Sequence, residues 1–143
     1  CLASALQPAL GVSEGAAGTL YQVVVLTNTS ASTCSLYGYP GVSFVTGIGG
    51  QQVGAAARRD LLVPSALVTL PPGGQANMLI GLHDAGNYPP SQCQQASVNW
   101  LRIYPPGDYG SVYVQYQAQT CARRAEVILS VTAVRTGAGS ASS

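Results

Sequence analysis

Four cysteines, Cys1, Cys34, Cys93 and Cys121, lie 33, 59 and 28 residues apart along the chain. That spacing excludes the C-x-x-C clusters of zinc sites and dithiol redox motifs. Lysine is absent; the six basic residues are Arg58, Arg59, Arg102, Arg123, Arg124 and Arg135. Without lysine there is no phosphate-loop lysine, no Schiff base and no Ser-Lys dyad. An even number of well-separated cysteines predicts two disulfides, and with them an oxidising compartment outside the cytoplasm. Three pairings are open at this point. A cysteine at position 1 also matches the lipid-bearing residue of a lipoprotein, which would leave one thiol unpaired. The paired reading is preferred, and any signal peptide or membrane tether then lies outside these residues. No apolar run reaches the roughly 18 residues of a membrane span.

The pattern between the cysteines is that of a β protein. The chain has 143 residues, the size of one domain, expected over 1–135 with a flexible tail at 136–143. Hydrophobic residues make up 47% and charged residues only 8%, against about 25% in an ordinary domain. A net charge of +1 argues against nucleic acid or any other polyanion bound by counterion release. Short β-branched runs at 20–28, 42–46, 66–70, 75–82, 97–104, 111–116 and 126–134 are cut by Gly and Pro. The last is expected to hold Val127, Leu129 and Val131 on one face. Pro71-Pro72-Gly73-Gly74 reads as the turn of a hairpin joining 66–70 to 75–82. Pro8 makes the first run, 2–12, an edge strand. Residues 55–59 are long enough for one helical turn and nothing more. About seven to nine strands with short connections predict an all-β, Ig-like antiparallel β-sandwich.

Several segments carry a family resemblance. They are Leu26-Thr-Asn-Thr-Ser30, Cys34-Ser-Leu-Tyr-Gly-Tyr-Pro-Gly-Val-Ser43, Gly50-Gln-Gln-Val-Gly54, Leu70-Pro-Pro-Gly-Gly74, Asn87-Tyr-Pro89, Cys93, Leu101-Arg-Ile-Tyr-Pro-Pro106 and Cys121. In this order they resemble an actinobacterial secreted family labelled a domain of unknown function, number 4232. The resemblance runs to about Val134. It implies a small extracellular β-sandwich, often tethered by a lipid or a transmembrane segment, and no assigned activity. It also implies the pairings Cys1–Cys34 and Cys93–Cys121. Each would close a loop of about 30 residues and contribute roughly 3–4 kcal/mol in the chain-entropy picture.

The candidate sites are few. His83 beside Asp84 invites a general-base reading, but no Gly-x-Ser-x-Gly elbow supplies a nucleophile, and neighbours on a strand face opposite ways. One His and one Met do not make a copper site, and no metal or other cofactor is expected. Met78 is read as core and Trp100 as core or half-buried. The carboxylates Glu14, Asp60, Asp84, Asp108 and Glu126 are far apart in sequence. Gly47 to Gly54 reads as a turn between strands, since no lysine or helix follows to make a phosphate cradle. Asn28-Thr29-Ser30 is read as a turn rather than a glycosylation site. Tyrosine stands out, with eight residues, several beside loop prolines and glycines. A tyrosine offers large contact area with a polar tip, so Tyr39, Tyr88, Tyr104 and Tyr109 are binding candidates. Arg58-Arg59 joins them as a basic pair that suits an anionic glycolipid or polymer; Arg123-Arg124 is a second pair. The reading is an exported, non-catalytic binding module whose partner is a protein or an envelope glycan or glycolipid. The rivals are a hydrolase built on scattered carboxylates or His83, and a purely structural domain.

Overall fold

The computed structural model describes residues 1–139. Twelve strands follow one another: β1 (Leu6–Ala16), β2 (Thr19–Asn28), β3 (Cys34–Leu36), β4 (Gly41–Val45), β5 (Gln52–Val53), β6 (Arg58–Asp60), β7 (Val68–Leu70), β8 (Gln75–His83), β9 (Gln95–Tyr104), β10 (Val112–Cys121), β11 (Leu129–Thr132) and β12 (Arg135–Thr136). The only α-helical turn among the described residues is α1 (Pro90–Cys93). One sheet has the order β1-β2-β8-β11-β6, with β12 also paired to β8, and the other β10-β9-β4-β5. A separate ribbon pairs β3 with β7.

The two sheets enclose one core. Val24 and Leu26 of β2, Met78 and Ile80 of β8, and Leu129 and Val131 of β11 share a buried cluster with Val42 and Phe44 of β4 and Leu101 and Ile103 of β9. Each such side chain contributes roughly 1.5–3 kcal/mol on burial. Residues 76–82 of β8 are buried on both faces. The core covers one face; on the other, Leu79 packs with Val23 and Val25 under Tyr21. A strand paired on both sides and covered on both faces reads as a continuous apolar run, as this one does.

Both disulfides form, as Cys1–Cys34 and Cys93–Cys121. The first ties the start of the chain to β3. The second ties α1 to the end of β10, where Ala122 N–H donates to the Gln94 carbonyl. Two formed disulfides are the state of a protein in an oxidising environment. Among the described residues no helix is long and apolar enough to cross a membrane.

The all-β sandwich stands as expected, and β1 is an edge strand, with Pro8 opposite Leu26. Met78 is core and Trp100 half-buried. Twelve strands exceed the seven to nine expected, because β3, β5, β6 and β12 have only two or three residues each and too little sequence to show a pattern; five further details differ. Pro71–Gly74 does turn, with Gly74 N–H donating to the Pro71 carbonyl, but β7 and β8 do not pair with each other. Asn28 takes the turn instead: its N–H donates to the Gly74 carbonyl and its carbonyl accepts from Gly73 N–H. β8 therefore runs on beside β2 while β7 departs to β3. Residues 58–60 are a strand, not part of a helical turn, and β6 pairs parallel to β11. The 68 residues between those strands leave direction free, so the antiparallel rule for short connections does not apply. The last strand is only Leu129–Thr132; Val127 lies outside it and is partly exposed. The chain end is tied further than expected. Thr136 pairs with Ala76, Gly137 N–H donates to the Gln75 carbonyl, and the Asn77 amide reaches the carbonyls of residues 135, 136 and 137. The rest of the expected tail, 140–143, lies outside the described residues.

Candidate functional site

Strand register assembles a site that the linear sequence scatters. Glu14 is paired with Tyr21, Tyr21 with Gly81, Gly81 with Ser130, and Ser130 with Arg58. These five residues form one row across β1, β2, β8, β11 and β6. A Cβ on Gly81 would lie 2.5 Å from the Ser130 hydroxyl and 3.4 Å from the Tyr21 ring. Glycine is thus required in the middle of the row, because the Ser130 hydroxyl and the Tyr21 ring close over it. In the next row, Thr19 is paired with His83.

At the β6 end these rows bound a cleft of about 520 Å³, lined by Thr19, Tyr21, Arg58, Arg59, Asp60, Leu61, Leu62, His83 and Ser130. The His83 ring bridges its two sides, with Nδ1 3.3 Å from Thr19 Oγ1 and Nε2 3.4 Å from Arg58 Nη2. A guanidinium only donates, so Nε2 accepts and Nδ1–H donates to threonine. Arg59 lies over the Tyr39 ring, its Cζ 5.0 Å from the centroid. That contact orients the cation without neutralising it. The partners of Arg58 and Arg59 are thus an imidazole and an aromatic ring, neither of them an anion. The Asp60 carboxylate shares the cleft, and its Oδ1 accepts the Leu62 N–H. Two arginines against one aspartate leave the cleft net positive.

A second cleft, of about 560 Å³, lies behind the His83–Thr19 wall, between the β1–β2 hairpin and Tyr116–Gln119 of β10. Tyr116 lines it, stacked on Phe44 with ring centroids 6.4 Å apart. Its hydroxyl is buried with no hydrogen-bond partner among the described residues, and desolvation holds its pKa above the ordinary tyrosine value.

Of the residues singled out in the sequence, Arg58, Arg59, Asp60 and His83 line the first cleft, while Tyr39 is not part of its lining and meets it only through Arg59. The other three tyrosine candidates line neither cleft. Tyr88 is half-buried against the main core. Tyr104 packs over Gly41 and lies under Arg102, whose Cζ is 5.0 Å from the ring. Tyr109 stands alone at 99% exposure. Arg123 and Arg124 are exposed and also outside both clefts. Sequence reasoning missed Tyr21, Gly81 and Ser130, whose only link is register, and Leu61 and Leu62, which follow the basic pair directly. Asp84 is engaged locally, accepting the Gly86 N–H. Asp108 accepts the Ala3 N–H at 2.7 Å. Among the described residues no three His, Cys, Asp or Glu side chains group as metal ligands do.

The molecule is thus a disulfide-stapled β-sandwich with a basic cleft on the outer face of one sheet. The chain belongs to the family described as Domain of unknown function (DUF4232), whose model matches residues 1–135. No curated protein and no solved structure matches it.

Proposed function

We propose that this chain is an exported, non-catalytic binding module of the cell envelope, and that the β6 cleft is its contact site for an anionic group. One observation carries the reading: Arg58 and Arg59 converge with His83 on one cleft, and among the described residues neither cation is matched by a carboxylate. An exposed guanidinium held by an imidazole or a ring keeps its charge available to an incoming anion. Export is supported by the two disulfides. The rival hydrolase has a cleft and an imidazole in its favour, but Thr19 and Arg58 hold His83 where a triad needs a carboxylate to orient it.

The test is a titration of the folded domain with glycerol phosphate at low salt, followed by backbone amide chemical shifts. Shifts are expected to concentrate at residues 58–62, 83 and 130, with a Kd on the order of millimolar. Arg58→Gln and Arg59→Gln should each weaken binding by about fivefold or more, and added salt should do the same. Shifts spread over the whole surface, or unchanged in both variants, would refute the reading and favour a purely structural domain.

A further inference from the structure

We infer that the β6 cleft docks the domain on a lipid bilayer, with an anionic headgroup against Arg58 and Arg59 and the 61–67 loop in the hydrocarbon boundary. The inference rests on the anion-binding reading above and names the partner. Loop 61–67 reads Leu-Leu-Val-Pro-Ser-Ala-Leu and contains no charge. It begins where β6 ends, so it follows Arg58-Arg59-Asp60 without a spacer. Leu61 and Leu62 are each 78% exposed and Leu67 is 66% exposed. Leu61 and Leu62 also line the cleft, so cations and bare leucines share one rim.

That pairing selects among partners. A glycan or a phosphate-rich polymer gives the arginines a counterion but gives three exposed leucines nothing apolar to enter. An anionic bilayer supplies both at the depth where headgroup meets acyl chain, the arrangement used by interfacial anchors. Asp60 is the one carboxylate in the cleft, and its Oδ1 is already engaged by the Leu62 N–H. Glu14 lies on the same row but four strand spacings from Arg58, about 19 Å, beyond screening range at physiological salt. The loop needs no fixed shape to act this way.

The experiment is co-sedimentation of the folded chain with two kinds of vesicle. One kind is phosphatidylcholine alone; the other contains roughly one-third phosphatidylglycerol. Binding is expected to the anionic vesicles and to weaken with salt. Leu61→Ser with Leu62→Ser should lower partitioning by about tenfold or more, and Leu67→Ser, in the same loop but outside the cleft lining, should lower it by about threefold while leaving the glycerol phosphate titration unchanged. Arg58→Gln with Arg59→Gln should lower both. Vesicle binding unaffected by the leucine pair would overturn the bilayer inference. So would a wild-type chain that binds glycerol phosphate but neither vesicle, and in that case the anion-site reading stands. Loss of both signals from the wild-type chain removes both.

Discussion

Asn28 shows how one side chain settles a local choice. It is fully buried, donates to the carbonyls of Ser32 and Leu70, and accepts from the Ser30 N–H and hydroxyl. The turn around 28–30 was legible because Asn and Ser form such turns locally. The bond to Leu70, 42 residues away, was not. Tyr116 is the converse, a buried hydroxyl with nothing to bond among the described residues. Leaving such a group unsatisfied costs about 1–3 kcal/mol, so Tyr116→Phe should raise stability by about 1 kcal/mol in urea unfolding. A loss of stability would mean that the hydroxyl has a partner in solution. Asp108 makes a pH prediction. The Ala3 N–H, then that of Gly110, holds its carboxyl below the ordinary carboxylate range. A depressed folded-state value gives stability that is present above the unfolded value of 3.8 and lost as pH falls through the folded one. Melting temperature should therefore fall on acidification below about pH 4, and Asp108→Asn should flatten part of that acid limb. An identical acid limb in the variant would rule out this bond as a source of acid sensitivity.

At the level of elements, the longer runs were readable and the shorter ones were not. β2 and β8 announce themselves as largely apolar stretches of nine or ten residues between turn signals, and β9 as apolar residues interleaved with polar ones before Pro105-Pro106-Gly107. β5, β6 and β12 have two or three residues each and exist only because a partner strand is waiting. β6 is the instructive case. Ala55-Ala-Ala-Arg-Arg59 carries helix propensity, and tertiary pairing with β11 overrides it. Gly54 fixes the approach to that strand. Its φ is +75°, and a Cβ there would lie within 2.3 Å of the Cys121 carbonyl oxygen. The disulfides act on the same scale. Their loops of 33 and 28 residues give nearly equal entropic terms, about 3–4 kcal/mol each. Their surroundings differ: Cys93 and Cys121 are each 1% exposed, and Cys1 and Cys34 only partly buried. Cys93→Ala with Cys121→Ala also leaves a core cavity, so it should cost about 4–5 kcal/mol against about 2–4 for Cys1→Ala with Cys34→Ala. Urea unfolding of the two double variants measures the order directly; the reverse order would show that burial does not set the difference.

Across the whole molecule, the centre and the β6 edge of one sheet are held very differently. Composition and turn spacing made the sandwich legible, because apolar patterning and turn residues are local signals. The basic cleft was only half legible: Arg58, Arg59 and His83 stood out as residue types, while Tyr21 and Ser130 join them only through a register spanning four strands. That register also ranks the strands by how firmly they are held. β8 is hydrogen-bonded on both sides and buried on both faces along residues 76–82. Near its middle the Leu79 N–H donates to Thr132 Oγ1, a buried bond 2.9 Å long. β6 is a three-residue edge paired only to β11, and its first two residues, Arg58 and Arg59, are exposed. Opening β6 with the loop that follows exposes little apolar surface, whereas opening β8 takes the core with it. Native-state hydrogen exchange should therefore find the amides of residues 78–81 exchanging only through global unfolding, with a free energy equal to that from urea. Residues 58–67 should exchange through a local opening several kcal/mol cheaper. Equal protection of the two segments would mean that the β6 edge is as rigid as the core.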